Sequence, residues 1–322
     1  MAKMNGGSHP SGRRQYLANF APNHSSSHYR GGRESHSLSS SRARRMAERL
    51  PSAKEASQSR VEILNKYGEK LVGVLHDAGS KKLVILCHGF RSSKDESIFL
   101  NLTSALTSQG ISVFRFDFAG NGESDGIFRY GNYRREAEDL RSVILYFSEQ
   151  KYEISAILGH SKGGNVVLLY ASVYHDVHTV INLSGRFALD RGIEGRLGRD
   201  FMQRIEKDGF IDVKDRTGKV EYRVTEESLK DRLDTDMHAA CHSIDKECRV
   251  LTIHGSKDEI VPSEDAMEFA KLIPNHKLYI MEGANHSYAA HQGGLASVVL
   301  DFLKSNQVFL GMSENRTVFS RL

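Results

Sequence analysis

The chain has 322 residues, 39% of them hydrophobic and 26% charged, with a formal net charge of +4. The charge is unevenly held: residues 1–60 carry +8 and the remainder −4, so a basic arm precedes a mildly acidic body. This pattern argues against a uniformly basic nucleic-acid-binding domain, and no apolar run reaches the roughly 18 residues that a membrane span needs.

Residues 1–58 are rich in Ser, Arg and Gly, with Ser25–Ser27 and Ser39–Ser41 as tracts, and their sparse apolar residues show no sustained period. They read as an unstructured arm, with a short helix near residues 43–50. The segment lacks the apolar core of a secretory leader. Its Arg-rich, acid-poor composition also suits an organellar transit peptide, so the expected location is the cytoplasm, or a plastid or mitochondrion if the arm is a targeting signal. Cys87, Cys241 and Cys248 are odd in number and have no CxxC spacing, which fits a reducing compartment and disfavours a disulfide framework or zinc site.

From residue 59 the pattern changes. Arg60–Lys66 and Lys70–His76 flank Tyr67-Gly68 and predict a hairpin. Leu83–Cys87 is a short continuous apolar run, as expected of a strand buried on both faces. There follow a helix over Ser97–Gln109 closed by Gly110, a strand at Ile111–Phe116, a helix at Tyr133–Phe147, a strand at Ile154–Leu158, a helix at Gly164–Tyr174 and a strand at Val177–Leu183. The alternation then stops. Residues 185–240 are highly charged and predict an inserted cap, with strand-like pieces at Phe210–Val213 and Val220–Val224 and a helix capped by Thr225. It resumes with a strand at Arg249–Ile253, a helix at Glu264–Leu272, a strand at Lys277–Met281 and a helix at about Gly294–Lys304. Repeated βα units imply an α/β fold: a mainly parallel sheet covered by helices. The expected divisions are an arm at 1–58, a body at 59–306 and a tail at 307–322.

Gly159-His160-Ser161-Lys162-Gly163 contains G-x-S-x-G, directly after a buried strand and before an apolar helix. A nucleophile on so tight a turn sits in strained backbone, and side chains two residues either side would collide, hence the glycines. A serine hydroxyl needs a base, and the base an orienting carboxylate. Asp258 follows the strand at Arg249–Ile253 and His286 the next strand, at Lys277–Met281, both on loops at the carboxyl ends. Glu259, His254, His276 and His291 are rivals nearby. The backbone N–H of Lys162, after the nucleophile, and that of Phe90, in the loop His88-Gly89-Phe90, are the candidate oxyanion donors. Phe116–Ser124 lacks the Walker Lys-Ser/Thr and reads as a structural turn below the active-site face.

With C-H-G-F at 87–90, D-F-A-G-N-G-E-S at 117–124, G-H-S-K-G-G at 159–164, H-G-S-K-D at 254–258 and G-A-N-H at 283–286, residues 60–305 resemble the α/β-hydrolase superfamily. Within it the chain looks like plant esterase/lipase-like and serine aminopeptidase-like hydrolases. It is also similar to feruloyl esterases, which carry a short cap after the sixth strand. The resemblance implies an eight-stranded sheet, Ser161, Asp258 and His286 as triad, Phe90 and Lys162 as backbone donors, and hydrolysis of an aryl or acyl-glycerol ester. It calls for no cofactor, no metal and no nucleic-acid partner. A peptidase, thioesterase or acyltransferase would use the same triad, and a slow ligand receptor can share the fold. His160, Phe187, Phe210 and Tyr222 are candidate substrate contacts.

Overall fold

The structure, a computed structural model, describes residues 56–316, with side chains to residue 305. The expected arm and its short helix lie outside the described residues, except that Ser57 and Gln58 already belong to the first strand.

β1 (Ser57–Leu64) and β2 (Lys70–Asp77) form the hairpin, paired from Ser57 opposite Asp77 to Leu64 opposite Lys70. The alternating section follows as β3 (Lys82–Cys87), α1 (Ser97–Ser108), β4 (Ser112–Phe116), α2 (Tyr133–Glu149), β5 (Glu153–His160), α3 (Lys162–Tyr174) and β6 (Thr179–Leu183). The insertion holds α4 (Glu194–Leu197), α5 (Phe201–Asp208), β7 (Phe210–Lys214), β8 (Val220–Thr225), α6 (Glu226–Leu233) and α7 (Met237–Ser243). The chain then returns to the sheet through β9 (Arg249–Gly255), α8 (Glu264–Leu272), β10 (His276–Met281) and α9 (Gln292–Arg316).

Eight strands form one sheet in the order β1-β2-β4-β3-β5-β6-β9-β10. The β1–β2 and β2–β4 pairings are antiparallel and the other five are parallel. The strand period of two divides each apolar run between two cores. Leu83, Ile85 and Cys87 of β3 join Phe147 of α2 and Val166 and Val167 of α3 on one face. Val84 and Leu86 join Leu102 and Leu106 of α1 and Leu295 and Val299 of α9 on the other. All these side chains are buried, each of the larger ones contributing about 1.5–3 kcal/mol. The same topology puts the carboxyl ends of β3, β4, β5, β6, β9 and β10 along one edge.

The insertion builds its own small core from Ile193, Leu197, Ile205, Ile211, Val224 and Leu229, joined by Tyr130 from the loop before α2. Thr225 caps α6 as expected: its hydroxyl accepts from Ser228 N–H at 3.1 Å, and Ser228 Oγ accepts from Thr225 N–H at 3.0 Å. Three features depart from the sequence reading. The short, charged helices α4 and α5 were not expected, because an apolar period is weak over so few residues. Met237 and Ala240 of α7, within the expected insertion, and Cys241 just after it pack in the main core. And α9 continues past the expected tail boundary at 307 to Arg316, with no proline after Ser305 to stop it. Among the described residues, no helix is long and apolar enough to cross a membrane.

Candidate active site

Ser161 joins the end of β5 to the start of α3 with φ 55° and ψ −119°, a conformation that side-chain-bearing residues rarely adopt. Two glycines make the turn possible. A Cβ on Gly159 would lie 2.0 Å from the Gly163 carbonyl oxygen, and one on Gly163 would lie 2.1 Å from that of Cys87. The Ser161 N–H donates to the Leu183 carbonyl at 2.7 Å, fastening the elbow to the end of β6.

Asp258, in the loop after β9, has a fully buried side chain. Its Oδ1 accepts the Ile260 and Val261 N–H groups at 2.9 and 2.8 Å, and its Oδ2 lies 2.7 Å from His286 Nδ1 and 3.3 Å from His254 Nε2. Burial by itself would raise its pKa. The contacts with His254, His286 and Val261 N–H outweigh that and hold the carboxyl far below the usual carboxylate range. The carboxylate can only accept, so His286 Nδ1 carries the proton and Nε2 offers its lone pair. Burial pushes the His286 pKa down from 6.5, partly opposed by the hydrogen bond to Asp258. Three of the rivals make other bonds. Glu259 accepts the His286 backbone N–H at 3.2 Å, His254 Nε2 bonds the Val261 carbonyl at 2.9 Å, and His276 Nε2 bonds Thr252 Oγ1 at 2.8 Å.

The loop after β3 comes close to the serine: a Cβ on Gly89 would stand 3.1 Å from Ser161 Cβ. Buried His88 fixes this loop. Its Nε2 accepts the Phe118 N–H at 3.0 Å, so its Nδ1 donates to the Gly89 carbonyl at 2.8 Å. Across a trans peptide the Phe90 N–H points opposite to that carbonyl. Neither the Phe90 nor the Lys162 N–H is taken by a backbone carbonyl among the described residues. Both residues line the hollow over Ser161. The turn at Phe116–Ser124 is structural, but it lies beside the active-site edge, not below it. Because β3 and β4 run parallel, Asp117 emerges next to the Cys87 end of β3. There it accepts Lys94 N–H at 2.7 Å and binds Lys94 Nζ at 2.8 Å, bracing the loop.

The other expected contacts separate. His160 is buried, with its ring 4.9 Å from that of His286 and its Nε2 2.9 Å from the His286 carbonyl. Phe187 packs on Phe269 of α8 at 5.3 Å and belongs to the main core. Phe210 lies on the cap surface under the Arg223 guanidinium, 3.6 Å from its ring centre. Tyr222 packs edge-on against the Phe90 ring at 5.6 Å, behind the hollow rather than in it.

What the sequence reading missed is the chemistry of the hollow. Its wall carries Arg186, Arg196 and Arg232 with Asn165, beside the rings of Phe90 and Tyr133, so it is cationic as well as aromatic. Below it the Lys162 ammonium is buried 2.6 Å from Glu136 Oε1, and burial raises the Glu136 pKa to about 7 despite that partner. The arginines were visible in the charged insertion, but no periodicity said which of them face inward.

Two family models match parts of the chain: serine aminopeptidase, S33, over residues 78–208, and the BAAT/acyl-CoA thioester hydrolase C-terminal family over residues 146–273. The uncharacterized protein YDL057W of Saccharomyces cerevisiae is 27% identical over 235 residues, covering 66% of this chain and 70% of its own. The mitochondrial palmitoyl-protein thioesterase ABHD10 of Homo sapiens is 24% identical over 196 residues, covering 60% of this chain and 62% of its own. Among solved structures, ferulic-acid-bound Est1E from Butyrivibrio proteoclasticus superposes with a TM-score of 0.67 at 25% identity, covering 76% of this chain and 98% of that one. These relatives are fungal, mammalian and bacterial, and the likeness to plant hydrolases finds no support in them.

Proposed function

The chain belongs to the α/β-hydrolase superfamily, as an esterase- or thioesterase-like hydrolase, and we propose that it is a serine hydrolase that cleaves a carboxylic ester through an acyl-enzyme. The observation that carries this reading is the strained Ser161 elbow on the same sheet edge as the 2.7 Å Asp258–His286 pair. In this reading His286 Nε2 takes the proton from Ser161 as Oγ attacks the carbonyl carbon. Asp258 holds the tautomer and stabilises the imidazolium, while the Phe90 and Lys162 N–H groups receive the developing oxyanion. His286 then protonates the leaving alcohol, and water enters to release the acid. Aryl esters of the feruloyl type and acyl-glycerols are the two substrate classes to try first. A thioester reading is favoured by the acyl-CoA thioester hydrolase match and uses the same steps with a thiol leaving.

The purified protein should turn over short p-nitrophenyl esters many times per molecule. Ser161→Ala should lower kcat at least about a thousandfold, since only binding and oxyanion stabilisation remain. A wild-type protein that binds such esters without multiple turnover would instead be a receptor, and an active Ser161→Ala variant would dismiss the nucleophile.

A further inference from the structure

Arg186, Arg196 and Arg232 converge on the hollow that also exposes Ser161. Several arginines elsewhere meet carboxylates, as Arg91 does Glu221 at 2.9 Å, Arg135 Glu69 at 2.6 Å and Arg223 Asp212 at 2.7 Å, while others such as Arg249 do not. Among the described residues, none of the three in the hollow has a carboxylate within ion-pair distance. Asp265, which accepts the Phe187 N–H at 2.8 Å, is the acid whose charge is felt most by Arg186, though it forms no ion pair with it. Burial and the guanidiniums of Arg232 and Arg196 lower the Arg186 pKa, with Asp265 opposing them.

The fold takes care to hold these cations there. Asn165, one turn into α3 from the serine, grips the Arg186 main chain twice, donating to its carbonyl at 2.5 Å and accepting its N–H at 3.1 Å. Arg232 is buried and donates to the Leu189 and Arg191 carbonyls at 2.8 and 2.9 Å, fixing the start of the cap. The exposed Arg196 stacks 4.3 Å from the Phe90 ring centre, beside the candidate oxyanion donor. Asp265 offsets part of the repulsion among these three like charges, and an anion entering the hollow would offset more.

We infer that the ester cleaved at Ser161 carries an anionic group, a carboxylate or a phosphate, held in this hollow by Arg186, Arg196 and Arg232. The inference rests on the serine-hydrolase reading and names its substrate class. Planar guanidinium forks suit both anions, and substrate arms of matched length separate them.

The test compares kcat/KM for p-nitrophenyl pentanoate, the p-nitrophenyl monoester of glutaric acid and its phosphonobutanoate counterpart, with a fluorophosphonate label at Ser161 run alongside. At least one anionic ester should exceed the neutral one by about tenfold or more, as expected of a charge-assisted hydrogen bond. The larger ratio names the anion. Arg196→Gln and Arg186→Gln should each bring the ratio down through a higher KM for the anionic ester, while the retained label shows that the elbow is still folded. A ratio at or below one, or a ratio unmoved by both variants, with Ser161 still labelled, overturns the inference and leaves the serine hydrolase standing. Absence of the label in the wild-type protein removes both.

Discussion

His286, the proposed base, is held between two opposing forces. Burial depresses its pKa from 6.5, and the Asp258 carboxylate at 2.7 Å draws it partly back. The net direction is down, so the imidazole is neutral at pH 7 and loses its base form only when the pH falls below 6.5. The acid limb of a kcat/KM–pH profile should therefore have its midpoint below 6.5; a midpoint above it would mean that the carboxylate, not burial, dominates. Asp258→Asn replaces an acceptor-only group with an amide that no longer dictates the tautomer. Turnover should fall by about 10⁴-fold with the fold intact, judged by an unchanged circular dichroism spectrum, and a loss under tenfold would assign the role to another group. Residues of this kind were legible in the sequence because loop order after successive strands is a one-dimensional signal. The arginines of the hollow were not, since their convergence is set by Asn165 and by main-chain carbonyls in the cap.

At the scale of elements, the turn from β5 into α3 depends on more than its glycines. The first residue of α3, Lys162, turns its ammonium inward to Glu136 of α2, both side chains only 4% exposed. Glu136→Ala would leave that ammonium buried without a partner, and urea unfolding should show a loss of about 3–5 kcal/mol. Pairing it with Lys162→Met removes the orphaned charge and should restore much of the stability. Equal losses for the single and double variants would mean that the ion pair is not what secures the α2–α3 contact. The sheet strands could be read from sequence because burial on both faces leaves continuous apolar runs such as Leu83–Cys87. The helices α4 and α5 could not, being four and eight residues long with few apolar positions between their charges.

For the molecule as a whole, net charge misleads about the site. Residues 61–322 carry −4, yet the hollow over Ser161 presents three guanidiniums. With the arm included the whole chain sums to +4, so net charge sets no local rule, and salt screens its long-range part while the guanidiniums act at contact. Cap and sheet form one compact unit, and Tyr130 ties them by packing with cap residues from a body loop. The insertion thus walls the same edge to which the topology brings Ser161, Asp258 and His286. In the proposed mechanism Ser161 becomes the acyl carrier. The most direct measurement is the mass of the tryptic peptide bearing Ser161 after brief exposure to an activated p-nitrophenyl ester and acid quench. A peptide heavier by one acyl group, absent when fluorophosphonate has already modified the protein, is the predicted result. An unmodified Ser161 peptide during steady hydrolysis, or an acyl group found on another residue, would contradict it.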